Sequence, residues 1–113
     1  FNSVLETAVR IYPSDPVANL NAANAAMSRG DYAQAEFYLN RIAEADADAA
    51  VIYARGMLAA LCGDYDAAEP LLATAARLKV ADAPAALEQV RSIRRAKAEL
   101  EAPQSQRNFI IIE

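Results

Sequence analysis

Apolar and polar positions alternate along this chain with the period of a helix, and the pattern breaks at regular intervals. Between residues 16 and 29 a stripe of Val17, Leu20, Ala23 and Met27 predicts one helix. Gly30-Asp31 interrupts it, and a second helix, from Tyr32 to about Ala45, carries Ala35, Leu39 and Ile42 inward, with Phe37 or Tyr38 flanking. Asp46 and Asp48 lie in the next turn, one of them an N-cap. From about Ala49 to Cys62, Ile52, Tyr53, Gly56, Leu58 and Ala59 mark a third segment, and Gly63-Asp64 turns the chain again. Tyr65 to about Lys79 follows, with Ala68, Leu71, Leu72 and Ala75 inward. Asp82 and Pro84 open a longer, more polar helix through Leu87, Val90, Ile93 and Leu100. Upstream, Ser3-x-x-Glu6 forms a capping box for a helix over 3–12, closed by Pro13-Ser14-Asp15-Pro16.

The stretch Gly30-Asp31-Tyr32-Ala33-Gln34-Ala35 recurs as Gly63-Asp64-Tyr65-Asp66-Ala67-Ala68. Glycine suits the left-handed residue that ends a helix, and aspartate suits the N-cap of the next, where its carboxylate accepts an unpaired backbone N–H. Ala35 and Ala68 let the partner helix approach closely. Gly56 gives up about 1 kcal/mol of helix propensity against alanine, which predicts a contact too tight for a Cβ. Pro70 predicts a kink or irregularity in its helix.

A helix–turn–helix unit recurring at about 34 residues resembles the tetratricopeptide (TPR) family. Ala23 and Gly56 fall where that family has a small residue in the first helix, and Tyr32 and Tyr65 match the aromatic opening the second. Ala35 and Ala68 match its small residue, Leu39 and Leu72 its large apolar one, and Ala75 its late small one, with Ile42 a bulkier version. Asn19 departs from the pattern where a large apolar residue or Trp is usual, as do Ala26 and Ala59 where an aromatic is usual, and neither repeat ends in the typical Pro. Sel1-like and other helical hairpins share the spacing. The resemblance implies an all-α solenoid of about six antiparallel helices over 1–101. It divides into 1–13 as the second helix of a partial repeat, repeats at 15–46 and 48–80, and a polar capping helix at 82–101; 102–113 is a tail. Residues 12–24, Tyr-Pro-Ser-Asp-Pro-Val-Ala-Asn-Leu-Asn-Ala-Ala-Asn, resemble the start of TPR-like tails that follow OmpA-like domains in some Gram-negative outer-membrane proteins. That likeness implies a periplasmic or outer-membrane-associated piece of a larger envelope protein. The start at Phe1, without Met, fits a fragment or processed product.

Composition narrows the chemistry. The chain of 113 residues is 55% hydrophobic, much of it alanine, and has no Trp, no His and one cysteine, Cys62. An internal disulfide and a cysteine zinc site are therefore impossible, and Cys62, at the end of an apolar helix stripe, is expected to be a buried, inert thiol. No apolar run reaches the roughly 18 residues of a membrane span, so direct membrane insertion is not expected. The net charge of −4 is uneven: residues 1–76 sum to −6 and residues 77–113 to +2. An acidic body argues against nucleic acid. With no nucleophile–base set, phosphate loop or metal cluster, the expectation is a non-catalytic module without cofactors. Glu44, Asp46 and Asp48 are too few oxygens for calcium and are read as capping residues.

In a TPR-like superhelix the first helices line the concave face. That face would present Val17, Leu20, Asn24, Met27 and Ser28 from one helix and Ala50, Tyr53, Met57 and Leu61 from the next. Leu20, Asn24, Met27, Tyr53, Met57 and Leu61 are the candidate partner-binding residues, for a protein or peptide. The family's carboxylate clamp needs two Asn with Lys and Arg, and only Asn24 fits it, so a chaperone-tail receptor is not expected. Asn19, Asn21 and Asn24 do not share one face and are read as mostly solvated or bonded to the preceding turn. Arg91, Arg94, Arg95 and Lys97, interleaved with Glu88, Glu99 and Glu101, read as a solvated salt-bridged face with pairs at helical spacing. The apolar tail Phe109, Ile110, Ile111 and Ile112 is a candidate assembly segment. It could add a strand to a partner's sheet, fill a groove, or begin a further element. A rigid spacer or assembly element with no groove in use is the alternative function.

Overall fold

The computed structural model describes residues 15–100, so the expected helix over 3–12 and the tail at 109–112 lie outside the described residues. Within them the protein is an all-α array of five helices with no strand: α1 (Pro16–Ser28), α2 (Tyr32–Asn40), α3 (Ala49–Leu61), α4 (Tyr65–Arg77) and α5 (Ala83–Leu100). Each helix packs on the next, and α1–α3 and α3–α5 contacts close the second layer.

Aspartate starts four of the helices. Asp15 accepts from the Val17 N–H at 3.0 Å, Asp31 from Gln34 at 3.2 Å, Asp48 from Val51 at 3.1 Å and Asp64 from Ala67 at 3.2 Å. The ends are equally regular. After α1 the Asp31 N–H bonds the Ala26 carbonyl and Gly30 that of Met27; after α3, Asp64 bonds Ala59 and Gly63 bonds Ala60. These are paired Schellman turns, and they need a left-handed residue, which Gly30 (φ +80°) and Gly63 (φ +83°) supply. The turn after α4 has the same bonds, Val80 to Ala75 and Lys79 to Ala76, but its left-handed residue is Lys79 at φ 68°. A Cβ in that conformation is strained by about 1 kcal/mol, only partly offset by glycine's greater freedom in the unfolded chain. Lys79→Gly is therefore expected to stabilise the protein by about 0.5 kcal/mol, read as a higher urea midpoint at unchanged slope. A midpoint that stays put or falls would contradict the strain.

Two core clusters share α3. One joins Ala18, Ala22, Ala23 and Ala26 of α1 to Ala35, Tyr38 and Leu39 of α2, with Ile42 and with Val51, Ala54 and Leu58 of α3. The other joins Ala68 and Leu72 to Leu87 and Val90, with Tyr53 and Met57 packed against it. Gly56 is buried at their junction. A Cβ there would sit 2.9 Å from Leu72 Cδ2 and 3.2 Å from Leu71 Cβ, the tight contact its place in the sequence predicts.

The structure corrects several expectations. The buried side of α1 is its alanine side; Val17, placed on the inner stripe, is exposed and Leu20 only half-buried. Small side chains win the inner face because they let the backbones approach. Asn19 is also wholly buried, and its Nδ2 donates to the Asp15 carbonyl at 2.9 Å, whereas Asn21 and Asn24 are exposed. α2 stops at Asn40 rather than near Ala45. Its last bonds tighten, Arg41 to Tyr38 and Ile42 to Leu39, and a 3₁₀ turn at Glu44–Asp46 follows. Arg55 holds this exit open, donating to the Ile42 carbonyl at 3.2 Å and pairing with Glu44 at 2.8 Å. α4 runs unbroken through Pro70. Cys62 is exposed, because the end of α3, Leu61 and Cys62, projects beyond the packed turn at Leu58. Arg91 and Arg94 reach across to α4 rather than serving only their own helix: Arg94 pairs with Glu69 at 2.7 Å and Asp66 at 3.0 Å, and Arg91 lies 3.8 Å from Glu69. Arg95 pairs along α5 with Glu88 at 3.0 Å.

Candidate functional site

α1 and α3 lie side by side as the first helices of two hairpins, so side chains at one helical register on each face the same hollow. The α4–α5 connection closes one flank. The result is a groove of about 870 Å³. α1 contributes Asn24, Met27 and Ser28, and α3 contributes Ala50, Tyr53, Ala54, Met57 and Leu61. Asp48 and Ala49 stand where α3 starts, and Leu78, Lys79 and Val80 form the flank. The floor lies where the two core clusters meet, since Met27 packs against the first and Met57 and Tyr53 against the second.

Five of the six residues read from the sequence as partner-binding, Asn24, Met27, Tyr53, Met57 and Leu61, thus line one hollow. Leu20 does not; it packs against the first core cluster. Leu78, Lys79 and Val80 were absent from that set. The helical period that located the others says nothing about a segment between helices, and the left-handed turn at Lys79 is what brings it to the groove.

The chemistry of this surface is that of contact rather than catalysis. Met27 and Met57 are flexible and polarisable. Leu61 and Leu78 remain 45% and 51% exposed, which is high for leucines beside a core. The Tyr53 phenol is pushed above its usual range by burial and by the negative charge of Asp82, so it stays a neutral hydrogen-bond donor at the groove. Asn24 is exposed at the rim, where it offers a donor and an acceptor; the Ser28 hydroxyl donates to the Asn24 carbonyl at 3.1 Å. Among the described residues no group of three or more acidic or thiol side chains is placed to hold a metal ion, and no helix is long and apolar enough to cross a membrane. Asp48 spends one oxygen on its helix N-terminus and Glu44 one on Arg55.

A family model described as tetratricopeptide repeat matches residues 2–61, more than half of the chain. The chain belongs to the tetratricopeptide repeat family. Neither a curated protein nor a solved structure gives a match. The TPR match ends within α3, yet the Gly-Asp-Tyr turn, the buried Ala68 and Leu72, and the left-handed Gly63 carry the same local structure through the following hairpin. TPR arrays generally mediate protein–protein interaction and are typically non-catalytic.

Proposed function

We propose that the protein is a non-catalytic interaction module whose groove between α1 and α3 takes a peptide or helix from a protein partner. The observation that carries this reading is the apolar hollow itself: two methionines, a tyrosine and two half-exposed leucines line one concavity that the protein's own side chains leave open. A hollow of that size, apolar on its floor and polar at its rim, suits a few anchoring side chains of a partner.

The test is selection of a displayed random-peptide library on the full chain, followed by affinity measurement on variants. Met57→Glu places a charge on the groove floor and is expected to weaken selected peptides at least about tenfold, the effect of burying one unpaired charge or losing one anchor. Tyr53→Phe, which keeps the ring and removes the donor, should weaken them about threefold. Peptides that bind both variants as well as the parent would move the site elsewhere. A library that yields no binder at all would favour a rigid spacer.

We further infer a place within a larger cell-envelope protein, supported by the likeness of residues 12–24 to TPR-like tails of OmpA-type outer-membrane proteins. Fractionation of the tagged full-length parent tests this. Recovery with the periplasm or outer membrane is expected, and recovery with the cytosol would overturn it.

A further inference from the structure

Two surfaces of this protein lack a partner, and they complement one another. The first is the groove, with Leu61 and Leu78 half-exposed at its edge. The second is the outer side of α5. Every residue from Arg91 to Leu100 is exposed, and the side of α5 turned toward α4, Ala83, Leu87 and Val90, carries the buried contacts. Beyond Val90, α5 is tied to α4 through Arg91 and Arg94, by ion pairs to Glu69 and Asp66. About a quarter-turn round the helix from that seam, Ile93, Ala96 and Leu100 form a second stripe at spacings of three and four residues. Ile93 is 40% and Leu100 76% exposed. This is the pattern of an amphipathic helix that has docked one face and still carries an apolar stripe in water.

Charge is complementary as well. Residues 15–82, which build the groove, hold ten acidic against five basic side chains, a net of −5. Residues 83–100 hold four basic against two acidic, a net of +2. Lys97 flanks the apolar stripe and has no ion pair among the described residues. Asp48 lines the groove, and Asp82 makes its charge felt at Tyr53. The groove's one cation, Lys79, offsets only part of this. An α-helical end that is apolar on one side and basic at its margin is therefore the ligand this groove's chemistry fits.

We propose that the groove binds the outer stripe of α5, Ile93, Ala96 and Leu100, from a second copy of the same chain, with Lys97 directed toward Asp48. This rests on the groove being a binding surface and names its occupant. The contact is heterologous, groove to helix end, so each copy keeps a free groove at one end and a free stripe at the other, and association extends head to tail.

Light scattering and sedimentation of the full chain over a wide concentration range test this. The parent should grow in mass with concentration, and added salt should weaken the growth by screening the charged margin. Met57→Glu, which closes the groove, and Ile93→Glu, which spoils the stripe, should each be monomeric. An equimolar mixture of the two should form dimers and nothing larger, because one variant keeps an intact stripe and the other an intact groove. Leu61→Glu and Leu100→Glu, at more exposed positions, repeat the experiment should either first variant lose helicity. A monomeric parent overturns the proposal, as does a mixture that fails to dimerise while the parent associates. The groove reading fails separately: a monomeric parent that still binds selected peptides through Met57 retains the groove and loses only this occupant.

Discussion

Valine at position 56 is expected to destabilise the protein by about 3 kcal/mol, with a fall of roughly 10–20 °C in Tm for a domain of this size. Alanine at the same place is the sharper test, because two effects of similar size oppose each other there. Helix propensity favours Gly56→Ala by about 1 kcal/mol. Against it, the new methyl would lie 2.9 Å from Leu72 Cδ2, 3.0 Å from Leu72 Cγ and 3.2 Å from Leu71 Cβ. Leu72 is wholly buried and cannot swing away cheaply, and Leu71 meets the methyl with its own Cβ, which moves only with the backbone. Overpacking of this kind is worth about 1–3 kcal/mol, so packing outweighs propensity and Gly56→Ala lowers the urea midpoint. Leu72→Ala in the Gly56→Val background should give back part of the loss, a non-additivity of at least about 1 kcal/mol. Were Gly56→Ala to stabilise, the α3–α4 approach would be looser than its geometry says.

Leu39→Ala is expected to cost about 3 kcal/mol, and its effect should be uneven along the chain. Leu39 is 2% exposed at the centre of the first cluster. α2 is nine residues long, too short to hold itself as a helix without burying Ala35, Tyr38 and Leu39. Amide exchange should therefore quicken most in α1 and α2, less in α3, and least in α4 and the start of α5, whose second cluster does not contain Leu39. Uniform acceleration would instead mean that α3 transmits the loss fully and that both hairpins unfold as one unit.

The parts of this fold legible in the sequence are those governed by local rules. Gly30 and Gly63 announce left-handed turns, and Asp31, Asp48 and Asp64 announce N-caps, because each acts on backbone groups within three residues. The groove residues on α3 follow from periodicity alone. What the sequence hid depends on how closely helices approach. On α1 the larger residues Val17 and Leu20 suggest the inner face, but the structure buries Ala18, Ala22 and Ala23, since inter-helix distance and not hydropathy selects the face. Arg55 ends α2 early by a bond to a carbonyl thirteen residues away, a contact with no local signature. Arg94 could be read as the partner of a neighbour on its own helix, yet it spans to Glu69 and Asp66 because α4 ends in reach of it. Glu69 holds that guanidinium in its charged form. Cys62 looked buried because it extends an apolar stripe, and the stripe outlasts the packing by one turn.

The preference for alanine inside the array also bears on how the protein responds to temperature. Of the seventeen buried hydrophobic residues among those described, nine are alanine. An alanine gives up no rotamer freedom when it is buried, so each contact it makes is free of that entropy loss. It also withdraws little apolar surface from water, and the heat capacity of unfolding scales with that surface. A smaller heat-capacity change flattens the curve of free energy against temperature. By that route a thin core yields modest stability that changes little between cold and physiological warmth, and calorimetry should find a heat-capacity increment per residue below the usual range of about 12–15 cal/mol/K.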